Sequence, residues 1–121
     1  MNDNNNTNSN MDNNNLYNKT NNAGLIGTHQ TSIYMSDNNV IVRYWNTNIV
    51  TITNDSIILN IGGWYTSTTK RRMNQASNQF NLNFYVYQKD YNWYCELTKP
   101  NGKKIIFCFQ QNTLTIPKDL N

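Results

Sequence analysis

Between Gly62 and Gln75 the chain reads GGWYTSTTKRRMNQ, and across this stretch the spacing of its apolar residues changes. Before and after it, apolar side chains recur at every second position, the repeat of a half-buried strand. Within it, Thr69, Met73, Ala76 and Phe80 fall at i, i+4, i+7 and i+11, one stripe of a helix. A single helix set between two groups of strands constrains the chain to an α+β fold. The predicted helix runs from about Ser67 to Gln79, with Thr66 or Ser67 as its N-cap. At about 100° per residue, Lys70, Arg71, Asn74 and Asn78 point away from the apolar stripe, and Arg72 sits at its flank.

Alternation and turn residues place the strands. Thr31 to Ser36 ends at Asp37-Asn38-Asn39, and Val40 to Thr47 is the second strand. Ile49 to Thr53 and Ser56 to Ile61 flank Asn54-Asp55, a two-residue hairpin loop. Pairing Thr53 with Ser56 sets Ile52 against Ile57 and Val50 against Leu59, so all four share one apolar face. After the helix, Asn81 to Gln88 carries Leu82, Phe84 and Val86 on one face and Tyr85 and Tyr87 on the other. Lys89-Asp90-Tyr91-Asn92 turns the chain, and Thr113 to Ile116 is a short last strand. The expected architecture is an antiparallel meander of four strands, one helix, then three to four antiparallel strands. The helix should cover one face of a curved sheet, with Met73, Ala76 and Phe80 against Ile52, Leu59, Leu82, Phe84 and Leu97. Trp64 should plug the junction between sheet and helix.

Trp93 to Lys99 and Lys103 to Gln110 form a hairpin whose register decides the fate of both cysteines. With Asn101-Gly102 as a two-residue loop, Cys95 would face Cys108, close enough for a disulfide. With Pro100-Asn101-Gly102 as a three-residue loop, Gly102 takes the left-handed position of a bulge and Pro100 suits the first central position. Leu97 then faces Ile105, Cys95 faces Phe107 and Trp93 faces Phe109, which keeps the apolar set together. The other register opposes Glu96 to Phe107 and splits it. The bulged register is therefore expected, with Cys95 in the core, Cys108 on the opposite face and no disulfide.

The first part of the chain is of another kind. Of residues 1 to 22, twelve are asparagine, and Leu16 is the one large aliphatic. Such a stretch buries too little apolar surface to offset the entropy of ordering, so residues 1–28 are expected to form a disordered Asn-rich tail and 29–121 a single domain. Apart from the tail, nine bases face five acids. That balance tolerates a polyanionic partner without requiring one. No apolar run approaches spanning length, and the start lacks a basic then apolar leader. The chain is therefore expected to be made and used inside a cell, with no secretion and no membrane.

Enzyme constellations are sparse. His29 stands at the edge of the tail, and Glu96 is the one glutamate. Asp37, Asp55 and Asp90 sit in turn sequences, where aspartate is usual. No pair of carboxylates shares a face at a spacing suited to acid–base work, and two cysteines with one distant histidine make no zinc set. No catalytic residue, metal or cofactor is expected.

What remains is the helix start. Thr66, Ser67, Thr68 and Thr69 precede Lys70, Arg71 and Arg72, so cations gather where the helix dipole already places positive charge. Free N–H groups, hydroxyls and bases there suit a phosphate or carboxylate. The bland alternative is a capped helix with a solvated basic face. Tyr85, Tyr87 and Tyr94 form a second candidate, an aromatic platform beside Lys104 on which bases could stack or a protein could dock. Tyrosines also decorate ordinary strand surfaces.

From Trp45 to Gln75 the chain resembles a family of short uncharacterised phage and viral proteins. In that family a segment of the type H-N-T-x-V-V precedes an apolar strand and the block G-G-W-x-T-x-T-T-[KR]-x-R-[IM]-N. Here the first segment is Trp45-Asn46-Thr47-Asn48-Ile49-Val50, with Trp45 where the family often has His. The block is Gly62-Gly63-Trp64, Thr66, Thr68-Thr69-Lys70 and Arg72-Met73-Asn74. The resemblance implies a viral origin and no assigned catalytic residues. The expected function is a small non-enzymatic viral module that contacts nucleic acid or another anionic partner through the helix start. The alternative is a virion-associated or host-protein interaction domain that uses the aromatic sheet face.

Overall fold

Ile52 lies opposite Ile57 and Val50 opposite Leu59, so the hairpin around Asn54-Asp55 has the register that turn chemistry and alternation predict. The computed structural model describes residues 25–119. Its strands are β1 (Thr31–Ser36), β2 (Asn39–Tyr44), β3 (Thr47–Ile52) and β4 (Ser56–Asn60), followed by the helix α1 (Ser67–Phe80). Then come β5 (Phe84–Lys89), β6 (Asn92–Thr98), β7 (Lys104–Cys108) and β8 (Thr113–Pro117). The fold is α+β. It has two antiparallel sheets rather than one curved sheet. Five strands pair in the order β1-β2-β3-β4-β8 and three in the order β5-β6-β7. The last strand leaves its sequence neighbours and closes the edge of β4, with Leu59 opposite Leu114 and Ile57 opposite Ile116.

Turn residues set these strand ends. Asp37 (φ 53°) and Asn38 (φ 67°) make a two-residue primed turn, and Asp90 (φ 52°) and Tyr91 (φ 67°) make another. The β2–β3 turn falls at Trp45-Asn46, earlier than alternation alone predicts. Thr47 already pairs with Tyr44, and a register shift between Val42 and Arg43 absorbs the offset. The strand expected from Asn81 starts at Phe84, because Asn81 (φ 56°) and Asn83 (φ 64°) are left-handed. Asn81 ends the helix there, as its αL cap.

The bulged hairpin is present as expected. Lys99 N–H donates to the Lys103 carbonyl at 2.8 Å, and Gly102 has φ 88°. Leu97 faces Ile105 and Cys95 faces Phe107. Both cysteines are free, Cys95 buried and Cys108 exposed.

Helix and both sheets share one core. Met73, Ala76 and Phe80 join Val40, Val42, Val50, Ile52 and Leu59 from the large sheet with Phe84, Val86, Cys95 and Leu97 from the small one. Trp64 does not plug the junction; it is 54% exposed. Gly62 (φ 65°) and Gly63 (φ 83°) turn the chain before it, and Ile61, just ahead of them, is the residue buried in the core. A Cβ on Gly62 would fall 2.4 Å from the Thr47 hydroxyl, so the close approach also requires glycine there.

The packed unit begins before the expected boundary at residue 28. Ile26 is buried in the core, its N–H donating to Gln79 Oε1 at 2.9 Å. Gly27 N–H donates to Gln75 Oε1 at 3.0 Å. A composition count misses this because one aliphatic residue with two backbone anchors is enough to dock a short segment. The rest of the expected tail, residues 1–24, lies outside the described residues.

Candidate functional site

The helix start separates the predicted residues into two groups. Thr66 is the N-cap, with extended backbone (φ −121°, ψ 160°). Its Oγ1 accepts from Thr69 N–H at 3.2 Å and its carbonyl from Lys70 N–H at 3.3 Å. Thr69 is fully buried, its hydroxyl 3.1 Å from that of Thr66. Thr66 and Thr69 thus serve the cap, and Thr69 cannot reach a ligand. Ser67 is exposed and Thr68 half-buried, and no acid occupies the first turn.

Arg72 also leaves the expected site. It is only 7% exposed and lies on the side of the helix away from Lys70. Its Nε donates to Thr31 Oγ1 and its Nη1 to Gln75 Oε1, each at 3.1 Å. The guanidinium carbon lies 5.9 Å from the Tyr44 ring centroid. Gly27 leaves room for the group, since a Cβ there would fall 2.5 Å from Nη1. Arg72 therefore clamps the docked segment at Ile26-Gly27 to helix and sheet. Two residues on from Lys70, a helix has turned about 200°, and that rotation takes Arg72 out of the basic face.

Lys70 and Arg71 stay outside. Lys70 Nζ sits 4.9 Å from the Trp93 ring centroid and donates to Gln88 Oε1 at 3.1 Å. Arg71 is exposed and has no hydrogen-bond or ion-pair partner among the described residues. Ser67, Lys70, Arg71 and Asn74 form one wall of an open groove of about 720 Å³. Its other wall is β5 and the turn after it, with Tyr85, Tyr87, Gln88, Asp90 and Tyr91. The two candidates that looked separate in sequence, the basic helix start and the aromatic platform, therefore meet.

Side chains of the helix hold that groove together. Asn74 Nδ2 donates to the Val86 carbonyl at 3.0 Å, and its Oδ1 accepts from Val86 N–H at 2.7 Å. One turn further, Ser77 Oγ donates to the Phe84 carbonyl at 2.7 Å and accepts from Phe84 N–H at 2.9 Å. These are the groups that β5 would offer to a neighbouring strand. The helix stands in for that strand at Phe84 and Val86, and Lys70 reaches the Gln88 side chain beyond them.

The platform is a real stack. Tyr85 and Tyr87 have ring centroids 6.1 Å apart at 17°, and Tyr87 and Tyr94 5.6 Å apart at 27°. Tyr94 lies opposite Tyr87 on β6, outside the groove lining. Lys104, expected beside the platform, pairs with Glu96 at 3.3 Å. At that exposure the pair contributes little to stability.

Sequence reading missed Gln88, Asp90 and Tyr91 as groove residues. A signal was present for one of them. Tyr91 occupies a primed-turn position that favours Asn or Gly, is left-handed and is 94% exposed. Strained non-glycine positions concentrate at functional sites, which makes this exposed ring a candidate.

Among the described residues no three His, Cys, Asp or Glu side chains are grouped to hold a metal ion, and no helix is long and apolar enough to cross a membrane. Searches of curated proteins and of solved structures gave no match. A sequence-family model described as Kyanoviridae Gp96 protein matches residues 5–115, which spans every strand and helix up to the middle of β8 and reaches into the Asn-rich start. On that match the chain belongs to the Kyanoviridae Gp96 family of phage proteins.

Proposed function

We propose that this phage protein is a non-catalytic module that binds single-stranded nucleic acid in the groove between α1 and β5. One observation carries the reading: Lys70 and Arg71 share a groove with Tyr85, Tyr87 and Tyr91. Cations that track phosphates beside rings that stack on bases are the two requirements of single-strand binding. The Ser67 hydroxyl and the first-turn N–H groups that Thr66 leaves free add donors for a phosphate oxygen. Arg71, with no hydrogen-bond or ion-pair partner among the described residues, breaks no such bond when it binds. The Asp90 carboxylate also lines the groove. It opposes a phosphate and suits a base amino group, so phosphates belong at the helix side.

Fluorescence anisotropy of labelled twelve-nucleotide oligo(dT) and oligo(rU) tests this. Two phosphate contacts on a single strand give a log–log salt slope of about −1.4, so binding should weaken roughly sevenfold from 50 to 200 mM salt. Lys70→Glu with Arg71→Glu should abolish binding. No anisotropy change with either oligonucleotide, or equal binding by the double variant, would remove the reading.

A second reading is favoured by the outer face of the small sheet, where Tyr85 (58% exposed) and Ile106 (59% exposed) flank the tyrosine stack. That surface suits a virion or host protein, and capture of such a partner without nuclease sensitivity would support it over the first.

A further inference from the structure

The sheets have four edge strands, and in three of them part of the outward row is taken up within the molecule. In an antiparallel ladder, residues alternate between those bonded to the neighbouring strand and those whose N–H and C=O point away. On β5 the outward residues include Phe84 and Val86, and the helix satisfies both through Ser77 and Asn74. On β8, Ile61 N–H bonded to the Asn112 carbonyl and Lys118 N–H to the Asp55 carbonyl set the phase. Thr113, Thr115 and Pro117 therefore point outward. Thr113 exchanges both bonds with Gln110, and Pro117 has no N–H. On β1, Trp45 N–H bonded to the Gln30 carbonyl sets the phase, and Thr31 N–H turns back to the Thr28 carbonyl. Ile33 and Met35, both half-buried, are the outward residues left.

The edge of β7 differs. Lys99–Lys103 and Trp93–Phe109 are bonded pairs, so Ile105 and Phe107 bond to β6 while Lys104, Ile106 and Cys108 present their N–H and C=O groups outward. Among the described residues nothing pairs with this edge. All three residues are exposed, with Ile106 at the centre. An edge of this kind, with its outward N–H and C=O groups unpaired and Ile106 at its centre, is a template for another strand.

We propose that β7 is a dimerisation edge, and that its partner is β7 of a second copy of this chain, antiparallel, with Ile106 on the two-fold axis. The strand is self-complementary about that residue. Ile106 meets Ile106 of the other copy, Ile105 meets Phe107, and Lys104 meets Cys108. Every outward residue then faces an outward residue, and each such pair exchanges two backbone hydrogen bonds. No lysine opposes a lysine, whereas a parallel arrangement in register sets Lys104 beside its own copy. A slip of two residues in either direction leaves an outward residue unpaired. The product is one six-stranded sheet whose outer face joins both tyrosine stacks.

Sedimentation equilibrium of the full chain should show a monomer–dimer equilibrium. Ile106→Lys, at a position 59% exposed, should keep the fold by near-ultraviolet circular dichroism and raise the dimer dissociation constant more than tenfold. Lys104→Cys should form an intermolecular disulfide with native Cys108 under mild oxidation, since bonded antiparallel pairs hold their Cα atoms about 5.5 Å apart. Adding Cys108→Ser should remove that cross-link, because two copies of position 104 would lie about 14 Å apart. A chain that stays monomeric to several hundred micromolar overturns the proposal. So does a dimer that Ile106→Lys leaves intact and Lys104→Cys does not cross-link.

Discussion

Asn74 meets Val86 with both ends of its side-chain amide, Nδ2 donating at 3.0 Å and Oδ1 accepting at 2.7 Å, as a neighbouring strand would. A helix side chain thereby closes a sheet edge and fixes the separation of the two walls of the groove. Asn74→Ala leaves two backbone groups with no protein partner. It should destabilise the protein by about 1–3 kcal/mol in urea unfolding. Asn78→Ala, at an exposed position on the same helix, should fall within about 0.5 kcal/mol of wild type. Equal effects of the two changes would show that the edge is not held in this way.

Arg72 and Arg71 are neighbours in sequence with opposite roles. Arg72→Ala removes the bonds to Thr31 and Gln75 and the contact with Tyr44, and should destabilise by about 2 kcal/mol. Gly27→Ala should act in the same direction, since its Cβ displaces the guanidinium. Oligonucleotide affinity per folded molecule should be unchanged in both. Arg71→Ala should do the reverse, with no loss of stability and weaker binding. The pair of readouts, thermal melting and anisotropy, separates the clamp from the contact.

Tyr91 sits in a left-handed turn that glycine adopts without strain. Tyr91→Gly should therefore stabilise the β5–β6 hairpin, by up to about 1 kcal/mol. If the ring stacks on a base, the same change should weaken oligonucleotide binding several-fold. A variant both more stable and fully competent to bind would release Tyr91 from any role in the groove.

Burial pushes the Cys95 thiol up from 9.0 to about 12, against a smaller opposing effect of a backbone hydrogen bond from Tyr85. The raised value means that the folded state holds this proton more tightly than the unfolded chain. The associated stability is complete below pH 9 and is lost as pH rises toward 12, by on the order of 1.4 kcal/mol per unit. Urea midpoints of wild type and Cys95→Val between pH 8 and 11 should diverge, with the wild type falling faster. In a native thiol titration at pH 8, Cys108 should react and Cys95 should react only on unfolding.

The hairpin registers were legible because each is a local matter. Thr53 with Ser56, and Lys99 with Lys103, are decided by a few turn residues and a side-chain repeat of two. The helix was legible from Thr69, Met73, Ala76 and Phe80, and the separation of Cys95 from Cys108 followed from the bulge at Gly102. Lys70 and Arg71 were placed on the open face by rotation alone.

Tertiary structure decided the rest. That β8 returns to β4 and that Ile26 docks on Gln79 join residues far apart in sequence, and Asn74 and Ser77 serve as a substitute strand only because the chain folds back at the helix end. No periodicity encodes such pairings. Trp64 turned outward and Arg72 inward because the space at the junction and beside Gly27 is defined by several elements at once. The sequence by itself determined which residues could form a strand or a helix, since backbone geometry repeats every few residues. Only the packed molecule brought a basic helix turn against a row of tyrosines, since that meeting depends on how the whole core closes.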